Sequence, residues 1–429
     1  MKAEGKTGCV TCDNDAMKDD LLKEILRHYS SSRDFNGLFF TGGDRLRMSA
    51  AIELVRGEMV QVVSEEDYPN PHIRPWPSRR SIEQQVASIE SLDEDSYGVC
   101  LYPTPVALKK HRPTKRYPGQ PFKLEMAKGR GTLELAYFSS DVLEQYRNDP
   151  RFSFDFNDFG AHVSISDDAY LDTGEPDHDK TSMRHIGFAY DLSGYKSGDL
   201  ESPILRRVCA FYGDLAGLTS IHQQRWKTYQ VPSGDVEPHP VWWAQQMGNW
   251  PDGLGPFQQV FFGLEALNEL YQNAFGLPLF KTTERPGDFG WILRPSQHEW
   301  DSFVHQLDKL LSDNIQHAAL NSAGVPRKGE DGNSLGTLSR VAALLASQGV
   351  SAEVVSQILK PLRDVREARQ KPAHSLRKNI TDKTFINKQI ALLEQVTRSL
   401  RSLQAFLQSH PANAQWESKR TSFKYNYRM

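Results

Sequence analysis

Cysteine is scarce, with four in 429 residues, too few for a disulfide framework and in keeping with a reducing compartment. Cys9 and Cys12 form a lone C-x-x-C, while Cys100 and Cys209 stand singly, so a closed four-cysteine zinc site is not written. Long hydrophobic runs are missing as well. No stretch reaches the ~20 apolar residues that cross a bilayer, and the opening MKAEGKTGCVTCDND carries no apolar signal region. The expected location is cytoplasmic, with no membrane partner. There is no Walker loop, no Rossmann glycine fingerprint and no HExxH, which removes the motif-based nucleotide and zinc-hydrolase readings. The acidic stretch SDDAYLDTGEPDHDK, with Asp167, Asp168, Asp172, Glu175, Asp177 and Asp179, lacks the alternating ligands and closing glutamate of an EF-hand. It reads as an exposed loop. His178 and His185 beside it read as solvated or structural, and no metal or cofactor is expected.

What is there is the composition of a soluble globular protein, 38% hydrophobic and 24% charged. The length calls for two or three domains. A net charge of −3 hides an asymmetry: residues 351–429 hold 15 Lys and Arg against 6 Asp and Glu, a local +9, which leaves residues 1–350 at −12. A basic C-terminal part attracts phosphate backbones, although solvated helix faces account for much of any such excess.

Residues 1–16 read as a flexible tail. Leu21, Leu22, Ile25, Leu26 and Tyr29 then share a helical face. Strands are expected at 38–41 and, as a hairpin broken at Arg56-Gly57, over 52–63. A helix is expected at 81–92 and a buried strand at 97–101. The proline-containing segment 103–128 carries Lys109, Lys110, His111, Arg112, Lys115 and Arg116, and reads either as a solvated connector or as a phosphate-contacting loop. Strands follow at 132–138, 161–166 and 185–190, with a short helix at 141–148. From 208 to 250 the chain is rich in aromatics, including Phe211, Tyr212, Trp226, Tyr229, Trp242, Trp243 and Trp250. These form either an aromatic core joining two domains or a stacking platform in which His222, Arg225 and Lys227 touch RNA or a nucleotide. Residues 17–250 thus form a mixed α/β domain, closed by the Pro/Gly-rich VPSGDVEPHP and GNWPDGLGP.

Beyond that junction the period becomes helical. Phe257, Val260, Phe261, Leu264, Leu267 and Tyr271 form one face, and Trp300, Phe303, Val304, Leu307 and Leu311 another. Residues 322–334 read as a connector. Leu335, Leu338, Val341 and Leu345 mark a third helix, and Ile386 to Leu407 the last. Residues 251–410 are therefore expected as an antiparallel helical bundle, followed by a basic and aromatic tail at 411–429. The fold class is α+β.

One helix of that series carries the chemistry. Val354, Ile358, Leu362 and Val365 recur at three- and four-residue steps, and Arg369 is next on the same face. An unpaired buried guanidinium is costly, so Arg369 is expected to meet a partner that arrives or assembles there. His374 follows five residues later, and Pro372 between them is expected to break the helix and bring both to one surface. Arg369-Gln370-Lys371-Pro372-Ala373-His374 resembles the R-x4-6-H signature of the HEPN superfamily, with Gln370 as the polar residue after the arginine. That resemblance implies a helical bundle and a metal-independent endoribonuclease. His374 would transfer the proton, Arg369 would hold the phosphate, and the products would end in 2′,3′-cyclic phosphate. Lys371, Arg377 and Lys378 would bind the RNA backbone. It further implies a homodimer through the bundle and an antiviral or toxin-like effector, with residues 17–250 recognising a phage product or protein trigger. The rival is a non-catalytic nucleotide- or RNA-binding or assembly scaffold. A third reading is a metal-dependent nuclease or hydrolase centred on residues 162–185.

Overall fold

The run from Val10 to Ser31 contains neither glycine nor proline and folds as one helix, α1 (Val10–Ser31). It begins inside the stretch expected to be a tail, and Lys18 ties that end down through Asp15 at 2.9 Å and Glu53 at 3.3 Å. The computed structural model describes residues 10–31, 37–63, 80–93, 98–111, 117–166, 181–193, 205–251, 253–329, 332–373 and 378–417. Its contacts divide the α+β chain into two units at Pro251/Asp252, with Phe154–Phe159 grouped out of order with the second. The acidic stretch 167–179 and the end of the tail, 418–429, lie outside the described residues, as does Cys9.

In the first unit β1 (Leu38–Phe40) and β2 (Val60–Val63) flank β3 (Val99–Pro103) in an antiparallel sheet. All five residues of β3 are buried, as a covered central strand requires. Of the hairpin expected over 52–63, the second arm is β2, while the first is the end of a helix, α2 (Arg45–Arg56). Asp44 caps it, accepting from the amides of Leu46 and Arg47 at 3.0 Å, and Ala50, Ala51, Leu54 and Val55 turn inward at helical spacing. Helix α3 (Ile82–Glu90) starts at a capping box formed by Ser81 and Gln84.

The expected connector at 103–128 contains two short helices, α4 (Pro105–His111) and α5 (Pro121–Ala127). Each has proline as its first residue, where the missing amide costs nothing. Then come β4 (Leu135–Ser139), α6 (Glu144–Asn148), β5 (Phe152–Phe156), β6 (Gly160–Ile165), β7 (Ser182–Asp191) and β8 (Leu205–Phe211). After them lie α7 (Tyr212–Ala216), α8 (Ser220–Thr228), β9 (Gln230–Val231), β10 (Val236–Pro238) and α9 (Pro240–Gln246). The main sheet of this unit runs β6-β7-β8-β4-β9, with β10 also paired to β7.

The second unit is helical: α10 (Pro256–Phe275), α11 (Gln297–Asp308), α12 (His317–Ser322), α13 (Thr337–Ser347), α14 (Ala352–Ala373) and α15 (Thr384–Gln408). α10 packs on α15, α11 on α14, and α14 on both α13 and α15. The expected apolar face of α10 is buried in full. Its first turn is held by a residue about a hundred positions away. Asp158 accepts from the amides of Phe257 at 2.9 Å and Gln258 at 3.1 Å, and from the Arg285 guanidinium. The Trp291 indole donates to its carbonyl at 2.9 Å. Gly255 makes this possible, because a Cβ there would run into the Asp158 carboxylate. Ahead of α15, Asp382 accepts from the amide and hydroxyl of Thr384 and from Lys388. The Thr384 bonds first, and Lys388 after them, hold its carboxyl down to about 2.

Two stability effects are expected from these carboxylates. Asp158→Ala strands Arg285 in the interior and costs about 3–5 kcal/mol, read as a lowered urea midpoint of the full chain; a loss below about 1 kcal/mol counts against the anchor. Asp382 has a depressed folded pKa, so its contribution is present above the unfolded carboxylate value of about 3.9 and is lost as pH falls toward 2. Wild type and Asp382→Asn should therefore differ in stability at neutral pH and converge in acid. A difference that persists unchanged at the acid end contradicts the assignment.

Candidate functional site

α14 buries Val355, Leu359, Leu362 and Val365 and exposes Val354, so the inward stripe lies one residue on from the expected one at its start. Arg369 still continues it, one turn beyond Val365. The helix is assigned through Pro372 to Ala373, one residue past the proline, and the residues on which the expected break would show lie outside the described ones. His374 and Arg377 lie outside the described residues, as do the side chains of Lys371, Pro372 and Ala373. Gln370 and Lys378 are exposed.

The guanidinium of Arg369 is 30% exposed and meets a carboxylate from its own chain. Nη1 donates to Asp308 Oδ2 at 2.5 Å and lies 3.5 Å from Asp313 Oδ2. Asp308 has no exposed side-chain surface, and its other oxygen accepts from the Ser312 hydroxyl at 2.8 Å. The expectation of a partner from outside is thus corrected: α11 supplies it. The hydrogen bond to Asp308 raises the Arg369 pKa above its ordinary value, with the charges of Asp308 and Asp313 adding to it.

Two aspartates five residues apart reach one arginine because the chain leaves α11 in a π-helical turn, Lys309–Asp313. On a regular helix a five-residue step turns about 140° from its starting face. Here the Asn314 amide bonds to Lys309 O, five residues back, at 2.9 Å, and the wider ring brings residue 313 round toward residue 308. Such turns recur at functional sites. Asn314 also staples the turn to the preceding segment, accepting from the Thr282 amide at 3.0 Å and donating to Thr282 O at 2.7 Å.

Between that segment and the turn lies a cavity of about 470 Å³, lined by Thr282, Glu284, Pro286, Asp288 and Phe289 on one side and by Gln306, Lys309, Leu310, Asp313 and Asn314 on the other. Asp313 thus belongs both to its wall and to the arginine site. His305, one turn before Asp308, is the histidine the sequence reading overlooked. Burial, then the charges of Lys309 and Arg369, push its pKa below the ordinary value, against the opposing carboxylates of Asp308 and Asp313. The signal for this group was the spacing of His305, Asp308, Lys309 and Ser312 along one helix, but the π-turn that completes it has no sequence mark.

The other candidates stand elsewhere. In the first unit His222 is buried with Nδ1 2.7 Å from the Tyr146 hydroxyl, which also accepts from Trp226 Nε1 at 3.2 Å. Trp226 and Trp242 are core residues and Trp250 is 78% exposed, so the aromatic window is mainly interior of that unit rather than a stacking platform. Lys109, Lys110 and His111 close α4, while Arg112, Lys115, Arg116 and His178 lie outside the described residues. His185 sits 3.2 Å from Asp214. Among the described residues no set of three His, Cys, Asp or Glu comes together to hold a metal ion, and no helix is long and apolar enough to cross a membrane. No protein-family model, no curated protein and no solved structure matches the chain.

If Asp308 and Arg369 act as one unit, their effects on stability are not additive. A double-mutant cycle with Asp308→Asn and Arg369→Gln should return a coupling of about 1–2 kcal/mol in urea unfolding. A coupling within the noise would show that the pair contributes no structure.

Proposed function

We propose that the chain is a metal-independent endoribonuclease of HEPN type, acting at the C-terminal end of α14. The observation that supports this is the way Arg369 is held. Both of its carboxylate contacts use Nη1, and among the described residues Nε and Nη2 have no partner, which leaves a two-donor edge of the kind that grips phosphate oxygens. In this reading the substrate 2′-hydroxyl attacks the adjacent phosphorus and the 5′-oxygen leaves. His374 moves the proton, and Arg369 stabilises the charge that builds on the phosphorane. Gln370 orients the pair. Lys371, Arg377 and Lys378 hold neighbouring phosphates. The resemblance further suggests a homodimer through the helical unit and an antiviral or toxin-like effector whose first unit recognises a phage or protein trigger.

One observation favours the non-catalytic alternative. Arg369 already has a buried carboxylate as its counter-ion, and a strut between two helices would look the same. In that case the helical unit is an RNA- or nucleotide-binding or assembly scaffold, and its motif arginine fixes α14 to α11.

The two separate in a cleavage assay on a mixed RNA pool in EDTA. The ribonuclease reading expects cutting with cyclic phosphate ends, a loss of about 10²–10⁴-fold in His374→Ala, and of about 10²-fold or more in Arg369→Lys with RNA affinity little changed. Neutralising Lys371, Arg377 and Lys378 should instead weaken binding and flatten its log–log salt slope by about one unit per contact. Absence of cutting by the wild type with binding intact leaves the scaffold reading, and wild-type rates in His374→Ala overturn the catalytic assignment.

A further inference from the structure

The two carboxylates on Arg369 are held in different ways. Asp308 is built in: its side chain has no exposed surface, one oxygen accepts from the Ser312 hydroxyl at 2.8 Å, and the other accepts from Arg369 Nη1 at 2.5 Å. Asp313 is 53% exposed and lies 3.5 Å from the same Nη1. Its carboxylate has no other partner among the described residues. Its backbone, by contrast, is pinned. The Lys281 ammonium donates to Asp313 O at 2.6 Å, and the next residue, Asn314, bonds Thr282 in both directions and closes the π-turn on Lys309 O. A fixed turn therefore presents a loosely held charge to Arg369, and rotation about the Asp313 side-chain bonds is enough to withdraw it.

We propose that Asp313 is an autoinhibitory charge, which repels RNA phosphate from the open edge of Arg369 until its side chain swings away. The inference rests on Arg369 as a phosphate-holding group, a role that the ribonuclease reading shares with an RNA-binding scaffold. Asp308 alone already supplies the counter-ion that a half-buried guanidinium needs, and it fixes the orientation of the group as well. A second carboxylate on the same nitrogen is in excess of that structural need. A guanidinium is only a few ångströms across, so a phosphate gripping Nε and Nη2 lies inside the ~8 Å Debye length of Asp313 at physiological salt. Like charges at that range repel, and the half-exposed carboxylate rather than the buried one is free to move. A positioning role for Asp313 has the opposite sign: removing its charge would then weaken the site instead of opening it.

The test is binding of a fluorescent single-stranded 2′-O-methyl RNA to the full chain, a probe that lacks the attacking hydroxyl and stays intact, in low salt and at physiological ionic strength. Asp313→Asn and Asp313→Ser should each tighten binding about three- to tenfold, with the larger gain in low salt and the urea midpoint unchanged. The gain should vanish when Arg369→Gln is added, because the effect passes through that side chain. Glu284→Gln removes the same charge from an exposed residue on the opposite wall of the cavity that Asp313 lines, and should shift affinity by less than about twofold. The inference is overturned if both Asp313 variants bind as wild type or more weakly, if the gain persists without Arg369, or if Glu284→Gln gains as much. The outcomes separate from those of the cleavage assay. A gain in a chain that does not cut removes the ribonuclease reading and leaves the inhibitory contact on an RNA-binding site, whereas cutting with no gain removes the inhibitory contact alone. No binding by any variant in low salt removes both the contact and the phosphate role of Arg369.

Discussion

Asp308 is a carboxylate with no exposed side-chain surface at the end of α11, and the neighbouring arrangement follows from satisfying it. Burying an ion is expensive unless its charge and lone pairs are met. One oxygen takes the Ser312 hydroxyl, and the other takes Arg369 from α14. The pair therefore fixes the rotation of α14 on α11 at the level where the motif begins, a choice that apolar side chains alone leave soft. Asp158 plays the corresponding part at the start of α10. It closes the exposed amides of α10, a role that suits a negative charge at a helix N-terminus, and it neutralises Arg285 in the same contact. Two buried aspartates, each with its own arginine, thus set the frame in which the cavity and the arginine edge lie.

Long helices were the legible part of the sequence. The faces of α10 and α15 repeat over about four turns or more, enough for the 3.6-residue period to dominate single-residue noise. Short elements were not. Residues 52–63 mix Val, Ile and Leu in a pattern that serves a helix and a strand equally, and the deciding residue was the cap Asp44 rather than any of the apolar ones. Pro105 and Pro121 looked like interruptions and are helix starts, because the cost of proline depends on where in a helix it falls. β5 carries the strict alternation FSFDF over only five residues, and its Phe152, Phe154 and Phe156 all turn inward.

The candidate site was legible only as a residue, not as a place. Arg369 could be singled out because it continues an apolar stripe, but its counter-ion lies 61 residues earlier in the chain, and pairing at that separation has no periodic signature. The shift of the stripe from Val354 to Val355 shows the same limit on a smaller scale, since either register fits Leu362 and Arg369. The π-turn is the extreme case: one additional residue in a helical ring, undetectable in composition, brings Asp313 to the same arginine as Asp308.

That extra residue also explains why opposite charges gather at one spot. The C-terminal part of the chain is basic and the remainder acidic, and the π-turn is where the acidic part, through Asp308 and Asp313, meets the basic helix. The guanidinium of Arg369 is thereby partly neutralised, by Asp308 and, at 3.5 Å, by Asp313. The carboxylate shared between the cavity and the arginine is therefore the point of leverage in the unit. A change in the charge of Asp313 is felt at Arg369 through their 3.5 Å contact.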